Sequence, residues 1–294
     1  MSVPGVLPRV STPTLRRPAV PPIASSLGKH LVLILAGGLV AYPFYFMVSS
    51  SLKPFFEAIA VPPTLYPHEL RFENYVEAWN KAPWARYFAN TILIAGANTL
   101  GELATSILAA YAFAWMSFKG KAALFALLLA TYMMPAEATL IPNFVIVSKR
   151  YLNLYDTYWV QILPFLATAF SIFLLRQQFL SVPRELYDAA IIDGAGHLRF
   201  LWSVVLPISV PALVTVAIIS FYGSWNAFQW PLIVTSTPAI QPLQVGLNAF
   251  RAEAGSSYHL LMAAASFTVA PVVLLYLVGQ RYLVQGVART GIRG

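Results

Sequence analysis

Six long apolar stretches, separated by shorter polar segments, dominate the chain. A helix needs roughly 20 mostly apolar residues to cross the hydrocarbon core of a bilayer. Such stretches lie at residues 28–50, 88–115, 122–148, 157–180, 203–234 and 258–284. The fifth is overlong and contains Pro207, Pro211 and Pro231, so we expect a break within it. The pattern predicts an all-α, polytopic integral membrane protein with six transmembrane helices.

A polar island at residues 185–194 lies between the fourth and fifth apolar stretches. Ser181 is a residue type that caps helix N-termini, and Pro183 presets φ for a first helical turn. Gly194 is suited to end such a helix. The sequence therefore predicts a short helix outside the membrane, within a coupling loop near residues 181–207.

The charged and small side chains of this helix suit a protein partner. Arg184 and Asp188 are four residues apart and therefore share one helix face. Ala189 and Ala190 leave a flat strip that a partner's backbone can approach closely. We interpret the segment as a docking site for a soluble protein; an ordinary interfacial hairpin without a partner is the alternative.

The composition agrees with a membrane environment and offers no catalytic chemistry. Hydrophobic residues make up 58% of the chain and charged residues only 10%, with a mean hydropathy of +0.67, whereas soluble domains carry about 25% charged residues. There is no cysteine, and the four histidines are scattered without ligand spacing. No GxxxxGK[ST] phosphate loop, GxSxG elbow or catalytic cluster is present. We therefore expect no catalytic residue, metal site or cofactor in this chain.

Lysine and arginine predict the orientation, because basic flanks tend to remain cytoplasmic. Six crossings place both termini on one side, and twelve of the nineteen basic residues fall there. We predict that this side, with the polar island, is cytoplasmic. The formal charge of +8 follows from this topology, so we expect contact with membrane lipid and no nucleic-acid binding.

The two ends of the chain differ from its apolar body at residues 27–286. Residues 1–26 carry six prolines and no apolar run, which predicts a disordered cytoplasmic tail and not a cleaved signal peptide. Residues 287–294 form a short C-terminal tail.

A spaced motif runs through the coupling loop. Asp188, Ala189 and Ala190 are followed after three residues by Gly194, and after nine more by Val204-Val205-Leu206-Pro207. This resembles the EAA signature, EAA-x3-G-x9-I-x-L-P, of permease subunits in binding-protein-dependent ABC importers. Asp188 stands where that family usually has glutamate, and Val204 where it has isoleucine. The resemblance covers about residues 28–294.

Weaker patterns resemble the carbohydrate-uptake branch of that family, near the maltose-type second permease and the glycerol-phosphate permease. They are Met134-Pro135-Ala136-Glu137 with Ile141-Pro142, Ser224-Trp225-Asn226 with Trp230-Pro231-Leu232-Ile233, Leu261-Met262-Ala263-Ala264, and residues 280–286.

The resemblance implies a non-catalytic subunit of the bacterial or archaeal cytoplasmic (inner) membrane. In that family two permeases form the pore, two ATPase subunits bind the ATP, and an extracytoplasmic solute-binding protein delivers the solute. We expect this chain to form half of a pore for a carbohydrate or carbohydrate-like solute, such as an oligosaccharide or a glycerol-phosphate compound. The expected ATPase-coupling residues are Arg184, Glu185, Asp188, Ala189, Ala190, Gly194, Leu206 and Pro207.

Intramembrane carboxylates and aromatic side chains are candidates for the solute path. A charge at the depth of Glu137 is costly and usually faces the bundle interior, a partner or water. A structural, hydrogen-bonded Glu137 is equally consistent, because Pro135 and Pro142 free backbone groups nearby. Glu102 has the same two interpretations, and we favour a lining role for it less. The further candidates are Trp225, Asn226, Phe228 and Trp230, whose aromatic members would either stack on sugar faces or form an interfacial belt.

Two outer or terminal segments are candidates for partner contacts. Ala254, Gly255, Ser256 and Ser257 are small and polar, and they align in position with the loop that probes the binding protein in maltose-type permeases. The C-terminal tail resembles tails that insert between the ATPase subunits, and a solvated end is the alternative. Lys149 and Arg150 fit either an anionic ligand or an acidic binding protein.

Other functions remain as alternatives. A permease for amino acids or peptides would keep the coupling-loop motif. An ion-coupled secondary transporter would need a coupling-ion site and repeat symmetry, neither of which is evident. Neighbouring genes for an ATPase, a second permease and a solute-binding lipoprotein would discriminate among these.

Overall fold

The computed structural model describes residues 23–254 and 257–291, which form helices and turns and contain no strand. The α-helices are α1 (Ile23–Ser51), α2 (Phe55–Ala58), α3 (Glu73–Asn80), α4 (Trp84–Trp115), α5 (Lys121–Tyr132), α6 (Ala136–Val147), α7 (Tyr158–Ile162), α8 (Ala169–Leu180), α9 (Arg184–Ile192), α10 (His197–Phe200), α11 (Leu206–Ile208), α12 (Val210–Trp225), α13 (Gln229–Val234), α14 (Leu243–Ala254) and α15 (Tyr258–Gly291). Short 3-10 turns lie at Leu163–Phe165 and Pro238–Ile240, and a π-helical turn lies at Leu201–Val205.

Three helices of the described chain are long and apolar enough to cross a membrane: Leu27–Ser51, Trp84–Trp115 and Tyr258–Gln280. Three bent pairs bring the number to six if each pair crosses once: Lys121–Tyr132 with Ala136–Val147, Tyr158–Phe165 with Ala169–Leu180, and His197–Ile208 with Val210–Trp225. These six units correspond to the six apolar stretches of the sequence, and the all-α membrane fold is confirmed.

The chain divides into two units, one ending at Phe46 and the other beginning at Met47. The first contains most of α1, whose large apolar side chains are exposed, with Leu39 at 77%. A helix that is apolar all round suits a lipid environment.

In the second unit α4 packs against α8 and α12, and α12 packs against α15. Two hydrophobic clusters lie near the two ends of α4. Trp84 and Tyr87, at its start, pack with Phe250 of α14. Ala110 and Tyr111, near its end, pack with side chains of α8, α10 and the π-helical turn. The unbroken helix α4 therefore joins both ends of the bundle.

Prolines account for the two sharpest bends. α5 and α6 meet at 98°, with Pro135 at the N-cap of α6. α11 and α12 are separated at Ser209, between Pro207 and Pro211, by a bend of 81°. Proline lacks an N–H donor and its ring clashes with the preceding helical turn. The predicted break in the fifth stretch is confirmed, and α13 forms a separate short helix after it.

The helix bounds can be set beside three predicted boundaries. α1 begins at Ile23, inside the predicted tail of residues 1–26, and residues 1–22 lie outside the described chain. α15 continues through residues 287–291, and residues 292–294 again lie outside it. Ser181 does not start the polar-island helix; it ends α8, and its hydroxyl donates to the Gln178 carbonyl at 2.7 Å.

Candidate functional site

The polar island folds as the short helix α9, followed by a tight left-handed turn. Pro183 is the N-cap at φ −57°, and Glu185 lies in the first turn, where the helix dipole favours negative charge. Gly194 has φ +76°, the Gly194 N–H donates to the Ile191 carbonyl at 2.9 Å, and the Ala195 N–H donates to the Ala190 carbonyl at 2.8 Å. These two bonds form a Schellman motif, which favours glycine because side chains disfavour the left-handed region.

Tyr187 attaches α9 to the end of α4. Its ring centroid lies 5.2 Å from that of Trp115 and 5.0 Å from that of Phe200. It also stacks on His197 at 6.0 Å, and the Nδ1 atom of His197 lies 2.9 Å from the hydroxyl oxygen of Tyr111. α9 is therefore held to α4 and α10 by a group of aromatic rings.

Leu206, at the end of the motif, belongs to the hydrophobic cluster against which Tyr187 packs. It is buried there, at the end of α4. Pro207 is exposed and follows the π-helical turn, a geometry found where the regular helical hydrogen bonds are interrupted. The motif thus turns the chain from α9 back into the bundle.

The outer face of α9 is open. Ile192 is 86% exposed, and no ion pair among the described side chains joins Arg184 to Asp188. Exposed members of the predicted coupling set are Arg184, Glu185, Asp188, Ala189, Gly194 and Pro207, whereas Ala190 and Leu206 face the core. The exposed charges are available to a protein partner.

A cavity of about 660 Å³ lies among α4, α7, α8, α12 and α13. The described residues that line it include one carboxylate and no lysine, arginine or histidine. Its polar and aromatic lining includes Asn98, Glu102, Gln161, Ser171, Ser224 and Trp230. Mostly apolar walls with a few convergent polar groups are typical of small-molecule sites, and the volume lies in their usual range.

Glu102 is the one acidic side chain among the described residues that line the cavity. It is 7% exposed, and its Oε1 atom accepts hydrogen bonds from the hydroxyls of Thr168 and Ser171, the second at 2.6 Å. Thr168 is also the N-cap of α8 and accepts the backbone N–H of Ser171. The carboxylate is therefore held at the N-terminus of α8, where the helix dipole favours negative charge.

Two amide side chains extend this polar wall. Asn98 Nδ2 donates to the backbone carbonyl of Gln161 at 3.2 Å and to Ser224 Oγ at 3.0 Å. Gln161 Nε2 donates to the Ile240 carbonyl at 3.2 Å. Because backbone carbonyls only accept, these bonds identify the nitrogen side of each amide. Asn98 Oδ1 and Gln161 Oε1 are buried and have no hydrogen-bond partner in the described part of the chain.

The predicted solute-path residues are dispersed. Trp230 lines the cavity, and its indole N–H donates to the Val160 carbonyl at 2.9 Å. Trp225 is 3% exposed and packs with Phe221 in a hydrophobic cluster, so here it is a core residue and neither a cavity nor a surface aromatic. Three more candidates also lie outside the cavity wall: Glu137 and Asn226, both exposed, and Phe228, half-buried at the N-cap of α13.

Asn98 and Gln161 are not among the site residues predicted from the sequence, and Glu102 is favoured less there than Glu137. A signal was present, since Thr91, Asn98 and Glu102 are separated by seven and four residues and so lie on one face of an apolar helix. Such a polar face inside a membrane helix points to a lined cavity.

The candidate binding-protein contact at residues 254–257 is partly described. Ala254 ends α14, and the Ser257 carbonyl accepts the N–H groups of Leu260 and Leu261 at 3.1 and 3.2 Å. Gly255 and Ser256 lie outside the described residues. Phe250 of α14 lies against Trp84, with ring centroids 5.3 Å apart, which fixes this segment near the start of α4 and far from α9.

Asp156 connects the loop before α7 to the segment after α13. Its Oδ1 atom accepts the backbone N–H groups of Ser236 and Thr237 at 2.8 and 3.0 Å, and its Oδ2 atom accepts the Thr237 hydroxyl at 2.5 Å. Burial alone would raise the pKa of Asp156, but these hydrogen bonds outweigh it and lower the pKa to about 2.

Among the described side chains, no group of three or more His, Asp or Glu is placed to hold a metal ion.

Residues 102–289 match the family model described as binding-protein-dependent transport system inner membrane component. This chain belongs to that family. The permease is 32% identical over 265 residues to the sn-glycerol-3-phosphate transport system permease protein UgpE of Yersinia enterocolitica, which covers 87% of this chain and 94% of that protein. It is 33% identical over 261 residues to the Probable ABC transporter permease protein YurM of Bacillus subtilis, which covers 87% of this chain and 84% of that protein.

Two solved structures share the fold of the permease. A chain of a bacterial ABC transporter involved in the import of the acidic polysaccharide alginate matches with a TM-score of 0.79 and 23% identity, over 90% of this chain and 99% of that chain. A bacterial alginate ABC transporter in complex with an alginate pentasaccharide-bound periplasmic protein matches with a TM-score of 0.65 and 14% identity, over 87% and 93%. The family resemblance carried by the coupling-loop motif is confirmed, and the chain is a permease of a binding-protein-dependent ABC importer.

Proposed function

We propose that this permease forms half of the translocation pore of an ATP-driven importer for a carbohydrate or carbohydrate-like solute. A second permease completes the pore, two partner ATPase subunits bind and hydrolyse the ATP, and an extracytoplasmic binding protein delivers the solute. This chain itself carries out no covalent chemistry.

The observation that carries the proposal is that one set of helices bounds both a cavity and a docking helix. α4 and α8 form walls of the 660 Å³ cavity, and the ends of the same two helices pack in the cluster that holds Tyr187 of α9. A partner that displaced α9 would therefore act on the walls of the cavity. Such a link between a partner and a solute path is what an importer driven by separate ATPase subunits requires.

The solute class is supported by the relatives and by the chemistry of the cavity. The similar UgpE protein is named for sn-glycerol-3-phosphate, and the structural neighbours belong to a transporter of alginate. The hydroxyl and amide groups of Asn98, Gln161 and Ser224 line the cavity beside the Trp230 ring. Sugars need both kinds of contact, since they offer hydroxyl groups and apolar ring faces.

The orientation is part of the proposal. The basic flanks of the sequence and the open charged face of α9 both support a cytoplasmic position for α9 and for the two termini. The start of α4, with α14 packed against it, then faces the binding protein.

The test is uptake by the complete complex in proteoliposomes, with its own ATPase, second permease and binding protein. We expect ATP-dependent uptake of at least one member of a panel of sugars, oligosaccharides and glycerol phosphates, with loss of uptake when this chain is omitted. Uptake confined to amino acids or peptides would contradict the solute class. Uptake that an ionophore abolishes, and that proceeds without ATP, would instead favour an ion-coupled transporter.

A further inference from the structure

Hydroxyl groups line the cavity from more than one helix. Tyr132, Ser220 and Ser224 each contribute one, and a hydroxyl can both donate and accept a hydrogen bond. The amides of Asn98 and Gln161 bond to protein atoms through their nitrogens, and their oxygens are enclosed by the protein. The wall therefore suits a solute that carries hydroxyl groups.

The same wall is unfavourable to anions. None of the described lining residues is a lysine, arginine or histidine, and the one acidic side chain is that of Glu102. A phosphate or carboxylate on a solute would bring acceptors and negative charge but would find no cation to pair with among the described lining residues. An unpaired charge is costly in such an environment, and repulsion by Glu102 adds to that cost.

We propose that this cavity is a solute-contact site of the permease, and that it accepts uncharged, hydroxyl-rich solutes while excluding phosphorylated or carboxylated ones. The inference rests on the proposed function and narrows its solute class to neutral sugars and polyols. Lys149 and Arg150, which suggested an anionic ligand, are exposed in the loop after α6 and do not line the cavity. This selectivity differs from the solutes for which the UgpE relative and the alginate transporters are named.

The charge preference can be measured without knowing the solute. The chain contains no cysteine, so one introduced thiol is unique within it. Ser220→Cys and Ala227→Cys place thiols at two positions of the cavity lining, and Asn80→Cys places a control thiol at the exposed end of α3. The complete complex in membranes is treated with cationic aminoethyl and anionic sulfonatoethyl methanethiosulfonate, and the rate of labelling of this chain is measured.

We expect both cavity thiols to react about tenfold faster with the cationic reagent, relative to the ratio at the control thiol, because the local charge is negative. Adding Glu102→Gln should reduce that preference by about threefold or more, since it removes the charge and keeps the shape. The matched change Glu73→Gln, at an exposed position of α3, should leave the preference unchanged. A ratio equal to that of the control thiol, a ratio insensitive to Glu102→Gln, or two cavity thiols that no reagent reaches would each overturn the inference.

A second measurement uses matched solutes. Glucose and glycerol should slow labelling of the cavity thiols more than glucose 6-phosphate, glucuronate and sn-glycerol 3-phosphate do. Equal protection by the charged members would contradict the inference. The two proposals can fail separately. ATP-dependent uptake of a phosphorylated solute would overturn the inference and leave the proposed function intact. An absence of ATP-dependent carbohydrate uptake would overturn the proposed function whatever the labelling ratios are.

Discussion

Replacing Gly194 by a residue with a side chain perturbs the turn that ends α9 while touching nothing else. Gly194 has φ +76°, and a Cβ added there would meet no atom within 4 Å. The cost is therefore conformational, roughly 1–2 kcal/mol for an L-residue in the left-handed region. A cost of that size lowers the ratio of molecules that keep this turn to molecules that have lost it by about 5- to 30-fold. A released loop would lose the Schellman hydrogen bonds and move the exposed face of α9.

The effect should depend on backbone preference and not on size. We expect Gly194→Ala and Gly194→Leu to be similarly defective, Gly194→Val to be worse because of its β-branch, and Gly194→Asn to be milder. The assay is solute-stimulated ATP hydrolysis and uptake by the complete complex, with membrane insertion checked separately. Gly196→Ala is the matched control, since Gly196 lies two residues further on at φ −77° and also has open space around it. Normal coupling in Gly194→Val, or an equal defect in Gly196→Ala, would refute the reasoning.

Four further perturbations test other parts of the permease. Asp188→Lys reverses an exposed charge on α9, so it should change stability by less than about 0.5 kcal/mol yet lower solute-stimulated ATP hydrolysis; unchanged coupling would exclude a role for this charge. Asp156→Ala should lower the free energy of unfolding by about 1–3 kcal/mol, and Asp156→Asn by less, because the carboxylate accepts two N–H groups and a hydroxyl. The pKa of Asp156 falls from 3.8 to about 2 on folding, so this stability is present above pH 3.8 and is lost as the pH falls toward 2. The Asp156→Ala variant should not show that pH-dependent loss. Deleting residues 287–294 should lower coupled ATP hydrolysis without changing insertion or docking of the binding protein, and full activity of the truncated complex would leave the tail a solvated end. Cysteines at residues 254–257 should cross-link to the binding protein, and labelling by lipid-phase probes alone would contradict that contact.

Helix α9 could be predicted from sequence because its signals are local. Pro183 and Gly194 fix the two ends of α9 through their own backbone preferences, which need no tertiary context. Ser181 shows the limit of that approach. Its hydroxyl suits an N-cap, but α8 already runs to Leu180, and the side chain bonds to the Gln178 carbonyl of that helix instead.

The cavity could not be predicted in the same way, because burial in a membrane bundle depends on which face of each helix meets another. Glu102 and Glu137 are both single carboxylates in apolar stretches, and the sequence favoured Glu137. In the structure Glu102 faces the N-terminus of α8, which supplies two hydroxyl donors, whereas Glu137 is exposed in the first turn of α6. The position of Trp225 differs from the predicted one for the same reason, since Phe221 and the start of α4 enclose its side chain.

The shapes of the helices bear on how a movement of α9 would reach the cavity. Trp115, which contacts Tyr187, and Glu102, which lines the cavity, lie 13 positions apart on α4, or about 20 Å along its axis. α4 is unbroken over that distance, whereas α7 with α8 bends by 41° and α10–α11 with α12 by 81°. A straight helix conveys a displacement along its length, and a bent pair absorbs it at the break. Displacement of α9 should therefore move the Glu102 side of the cavity against α12, whose Ser220 and Ser224 lie beyond the break at Ser209.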